Sequence, residues 1–79
     1  MRIQVLGTGS SRNREFVANV ESALEELGLA AAVEAVESIH QMVQLGVMSM
    51  PALAIDGEIK STGRLLTTEE IKEVLRPVG

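Results

Sequence analysis

The apolar positions change period along the chain, and each change marks an element. Residues 2 to 6, RIQVL, alternate in part and stop at Gly7, which predicts a short first strand. From there to Gly28, Phe16, Val17, Val20, Leu24 and Leu27 recur at helical spacing while Glu and Arg fill the other face. This predicts a helix of about four turns, stopped by Gly28 at the carboxyl-cap position. In residues 30 to 36, AAAVEAV, Val33 and Val36 flank Glu34. Alanine is a weak strand former, but the position after a helix predicts a second strand there.

Two further helices are marked by their caps. Ser38 with Gln41 three residues on has the capping-box pattern, followed by Met42, Val43 and Leu45 and a stop at Gly46. Thr67 with Glu70 repeats the pattern; Leu66 before it can staple onto Ile71, and Val74 and Leu75 continue the apolar stripe. Between these helices PALAIDGEIKS holds two short runs joined by Asp56-Gly57, a pair that suits a type I′ turn because both positions tolerate positive φ. That is an antiparallel hairpin. The order strand, helix, strand, helix, strand, strand, helix is an α/β arrangement. A right-handed crossover pairs the first two strands in parallel and the hairpin extends the same sheet, giving a four-stranded mixed sheet with three helices.

Composition narrows what such a sheet can serve. A chain of 79 residues without internal repeat, linker or low-complexity segment reads as a single domain spanning residues 1–79. At 46% hydrophobic and 23% charged it has the makeup of a folded domain and not of a disordered one. A net charge of −4 and one aromatic residue, Phe16, argue against nucleic acid as a partner, since that role needs a basic face and stacking rings. No apolar run approaches the ~20 residues that span a bilayer, and no secretory leader opens the chain, so no membrane partner and a cytoplasmic location are expected. There is no cysteine and a single histidine, His40. Disulfide exchange, thiolate catalysis, thiolate-bound zinc and iron–sulfur ligation are therefore beyond the chain's own side chains, and no metal or other cofactor is implied.

Two stretches, VLGTGSSRN at 5–13 and GVMSMPALAIDGEIKSTGR at 46–64, carry a resemblance. The whole chain resembles the small thioredoxin-like (glutaredoxin-like, redox-active disulfide type) proteins of archaea and bacteria. Their pattern is a first strand, GTGC-x-x-C, a helix, and later GV-x-S-x-PAL-x-IDG. The resemblance implies a thioredoxin-like fold and thiol–disulfide oxidoreductase activity. It also puts Ser10 where the family has its nucleophilic cysteine and Asn13 where it has the resolving one. A serine hydroxyl ionises far above physiological pH and Asn13 carries no sulfur, so the activity cannot be inherited unless a partner supplies every sulfur. Asn13 is not the replacement a deliberate knock-out would use, and the loss reads as natural divergence.

The resemblance further implies a cis Met50–Pro51 bond, with the Met50 backbone facing the first helix and able to pair with an extended peptide. Val47, Met48 and Met50 then supply an adaptable apolar rim, although Val47 and Met48 taken singly suit core packing equally well. The expected function is a redox-inactive binding or accessory module for an unidentified protein or peptide, with Gly9, Ser10, Ser11, Arg12, Asn13, Met48, Met50 and Pro51 as its surface. An alternative is a small anion site made from free amides at the helix start, the Ser10 and Ser11 hydroxyls, Arg12 and Arg14. The simpler reading of that loop has Ser10 or Ser11 capping the helix with both arginines solvated. GTGSSR also begins like the dinucleotide fingerprint, but Arg12 occupies its third glycine position and no nucleotide-binding domain fits the length. His40 lacks a partner for metal binding or base catalysis, and Glu25, Glu26, Glu69, Glu70 and Glu73 read as solvated helix faces.

Overall fold

The computed structural model describes residues 1–76, apart from the side chain of Ser10. Seven elements follow one another: β1 (Arg2–Leu6), α1 (Ser10–Leu27), β2 (Ala32–Val36), α2 (Ile39–Leu45), β3 (Ala52–Ile55), β4 (Glu58–Thr62) and α3 (Thr68–Leu75). The strands form one sheet in the order β2-β1-β3-β4. β1 is parallel to β2, with Ile3 opposite Val33 and Val5 opposite Ala35, and antiparallel to β3, with Ile3 opposite Ile55. β1 is hydrogen-bonded on both edges and covered on both faces, so it is buried from Ile3 to Leu6, and its one polar side chain in that span, Gln4, is satisfied by donating to Glu34.

The two faces of the sheet are unequally covered. Ile3, Val5, Leu53 and Ile55 point to one face, where they pack with Phe16, Val20, Ala23 and Leu24 of α1 and with Ile71 and Leu75 of α3. On the other face Leu6, Val36, Ala52 and Ala54 meet α2 chiefly through Met42. α2 is short, and its Ile39 and Val43 lie 62% and 69% exposed, so the apolar run after Ser38 is only partly core. Side-chain bonds join α1 to α3 and to the segment leading into it: Asn19 Nδ2 donates to the Leu66 carbonyl at 2.9 Å, and Lys72 Nζ donates to Glu26 at 2.8 Å.

Several boundaries differ from the sequence reading for physical reasons. β2 starts at Ala32 and not Ala30, because β1 begins at Arg2 and leaves the two preceding alanines no partner to pair with. α1 has 18 residues, roughly five turns, since it begins immediately after the loop glycines. Asp56 and Gly57 adopt φ of 50° and 83° at the β3–β4 turn, the left-handed region that type I′ demands. The register then shifts between Leu53 and Ala54, which pair with Ser61 and Ile59 and leave Lys60 as an extra residue in the edge strand. Thr67 and Glu70 complete a reciprocal capping box, whereas at Ser38 only the hydroxyl acceptor from the Gln41 amide forms.

On the α2 face Glu34 gathers two donors: Arg2 Nη2 and Gln4 Nε2 both reach its Oε1 at 2.8 Å. The Arg2 bond first and the Gln4 bond second hold its carboxyl below the usual range. A depressed folded-state value means that the stabilisation is complete above the unfolded carboxylate value of about 4.3 and disappears as pH falls through the folded value. Urea unfolding followed downward from about pH 6 should therefore show a shallower acid loss for Glu34→Gln than for the parent chain. Equal pH slopes for the two would mean the cluster adds no pH-dependent stability.

Candidate functional site

The site is made where β1 gives way to α1. Gly7 is held at the sheet end by its amide, which donates to the Val36 carbonyl at 3.0 Å. Thr8 and Gly9 then turn the chain outward, and Gly9 is the N-cap residue of α1, in extended geometry and with no side-chain cap hydrogen bond. The expectation that Ser10 or Ser11 caps the helix is thus corrected: both already lie inside it, because the turn is completed by the glycine before them. The Asn13 amide makes the first helical bond, to the Gly9 carbonyl at 2.9 Å, which leaves the preceding first-turn N–H groups without an intrahelical acceptor.

Asn13 is the principal correction among the expected surface residues. It is only 2% exposed, and its Nδ2 donates to the Gly7 carbonyl at 2.7 Å, tying the first turn of α1 to the end of β1. Its Oδ1 is buried without a hydrogen-bond partner among the described residues. A Cβ placed on Gly7 would lie 2.7 Å from that oxygen and 3.6 Å from Pro51 Cβ, so position 7 admits no side chain without moving Asn13.

Pro51 closes the other wall. The Met50–Pro51 bond is cis, and the Pro51 carbonyl accepts from the Gly63 amide at 2.9 Å. Gly7, Thr8, Gly9, Arg12, Asn13, Met50 and Pro51 together line a cleft of about 290 Å³. Among the described residues the Met50 backbone N–H and C=O take part in no hydrogen bond with the rest of the chain. Met50 itself is 45% exposed.

Of the residues expected at this surface, Gly9, Arg12, Asn13, Met50 and Pro51 meet in the cleft. Ser11 is exposed on the helix beside it, and the Ser10 hydroxyl lies outside the described residues. Met48 stands 92% exposed and does not line the cleft; Val47 packs beside the α2-face core. Arg12 and Arg14 are separated. Arg12 borders the cleft, while Arg14 borders a second hollow between α1 and β2 that also holds Glu21 and Glu37. His40 is exposed in the first turn of α2. Gly7 and Thr8 belong to the cleft without having been expected there; the first glycine of GTGS was the available signal, since a buried strand end meeting a helix start leaves little room for a side chain.

Removing the Asn13 donor leaves a buried Gly7 carbonyl unsatisfied, which costs about 1–3 kcal/mol. Asn13→Ala should lower the urea midpoint accordingly. Asn13→Asp should be worse near neutral pH and partly recover in acid, where the protonated carboxyl can donate to Gly7 again. An unchanged midpoint in both variants would show that the tie contributes nothing.

Comparison with known proteins agrees with this geometry over nearly the full length. The family model described as Thioredoxin domain matches residues 1–76. A protein named Thioredoxin from Methanothermobacter thermautotrophicus is 39% identical over 75 residues, covering 95% of this chain and 97% of that protein. A second protein named Thioredoxin, from Methanocaldococcus jannaschii, is 34% identical over 74 residues, covering 94% of this chain and 85% of that one. With its cleft between a helix start and Pro51, and with no cysteine anywhere in its sequence, the chain is a member of the thioredoxin-domain family that lacks the redox pair.

Proposed function

We propose that this protein is a redox-inactive, single-domain cytoplasmic binding module that docks an extended segment of a partner protein or peptide against the former redox corner. The surface comprises Gly9, Ser10, Ser11, Arg12, Met48, Met50 and Pro51, with Asn13 acting from beneath as the brace that holds its floor. The observation that carries this reading is the unused pair of Met50 backbone groups next to an apolar-walled cleft. An extended peptide laid along Met50 can satisfy both groups as an added strand would, and side-chain pockets then set preference. Met50 offers flexible apolar contact at the cleft, and exposed Met48, two residues before it in the chain, adds further apolar surface.

Dithiol chemistry has no place in this reading. Exchange requires a thiolate to attack a disulfide sulfur, and neither an alcohol at position 10 nor a carboxamide at position 13 forms the mixed disulfide. In a dithiothreitol-driven reduction of a disulfide-bonded peptide, the protein should leave the rate at background. Turnover above background would overturn the redox-inactive assignment.

Docking is tested by backbone NMR titration with the end-capped octapeptide GVQVQVQG and, separately, with inorganic phosphate. The peptide should shift signals across Met50 to Ala52. Phosphate shifts confined to residues 9 to 14, with no response to the peptide at millimolar concentration, would replace peptide docking with an anion site.

A further inference from the structure

The charge pattern around the cleft specifies the kind of segment it takes. Five of the seven basic side chains in the sequence are in ion pairs within the chain: Arg2 with Glu34, Lys60 with Glu58, Arg64 with Glu70, Lys72 with Glu26 and Glu69, and Arg76 with Glu73. Among the described residues Arg12 and Arg14 are the two without a carboxylate partner, and they diverge. Arg14 shares its hollow with Glu21 and Glu37, whereas Arg12 is, among the described residues, the only ionisable one lining the cleft. Glu15, one turn further along α1, makes no ion pair with Arg12.

Nothing on the opposite wall offsets that charge. Between Glu37 and Asp56 the sequence carries no Asp, Glu, Lys or Arg, so α2 and β3 bring none of these charges to the cleft. The first turn of α1 holds no acidic residue either, an omission that leaves the positive end of the helix uncompensated beside Arg12. On a chain of net charge −4, the cleft is therefore a local reversal of sign. The unused Met50 N–H and C=O on the same cleft favour an extended peptide over a free inorganic anion, because a peptide backbone offers both an acceptor and a donor at strand spacing.

We propose that the segment recognised is an acidic one: an extended peptide in which apolar residues alternate with Asp or Glu, with a carboxylate placed on Arg12 and the apolar residues on Met50 and Pro51. This rests on the docking reading above. A carboxylate entering here meets one unpaired guanidinium and no acidic side chain among the described lining residues, while a lysine at the same position meets like charge.

The test compares three end-capped octapeptides, GVEVEVEG, GVQVQVQG and GVKVKVKG, titrated by NMR at low salt. The Glu peptide should bind about three- to tenfold more tightly than the Gln peptide, and the Lys peptide more weakly than either. The Glu advantage should shrink as salt rises to roughly 0.3 M, a measurement that needs no variant. Arg12→Gln should abolish the advantage, and Arg14→Gln, on the other side of the helix, should keep it. Equal affinity for the Glu and Gln peptides, or loss of the advantage only with Arg14→Gln, would overturn the acidic preference while leaving docking intact. Absence of any shift with all three peptides would overturn both.

Discussion

Everything at the functional corner depends on one buried hydrogen bond, from the Asn13 side-chain amide to the Gly7 carbonyl. Gly7 follows directly on β1 and is anchored to Val36 at the end of β2, so its carbonyl would otherwise be stranded where water does not reach. Asn13 satisfies it from the first turn of α1 and so fixes where that helix begins relative to the sheet. The N-cap glycine, the direction of Arg12 and the floor against Pro51 all follow from this placement. The close approach explains why position 7 is glycine although no positive φ is required there.

The same bond accounts for how a thioredoxin-domain chain can hold its corner without sulfur. A carboxamide supplies a donor for the strand-end carbonyl, at the cost of an orphaned Oδ1. A buried carbonyl oxygen is among the polar groups more readily tolerated without a partner. The corner is thus closed without any sulfur. The two faces of the sheet are unevenly covered. α1 and α3 bury one face thoroughly and provide the stability, while the lightly covered α2 side keeps apolar surface at Ile39, Val43, Met48 and Met50 exposed.

Much of the architecture was legible because local and periodic signals coincide with it. The helical stripe through Phe16, Val20 and Leu24, the Thr67 capping box and the Asp56-Gly57 turn each state their geometry within a few residues. The misses occurred where an element's limit is set by something distant. β2 is trimmed by the start of β1, the bulge at Lys60 arises between paired strands, and Val43 is exposed because so small a helix meets the sheet along one narrow line.

By itself, the sequence determined the element order, the turn chemistry and the absence of any sulfur-based reaction, since these depend on residue type and short-range spacing. Only the tertiary structure decided that Asn13 is a buried brace and not a surface contact, that Gly7 and Thr8 line the cleft, and that Arg12 and Arg14 serve different surfaces. Two residues two positions apart on a helix point roughly 200° apart, but which of them faces a cleft depends on where the sheet holds that helix. That relation is carried by contacts between residues far apart in the chain, and periodicity along a single element does not encode it.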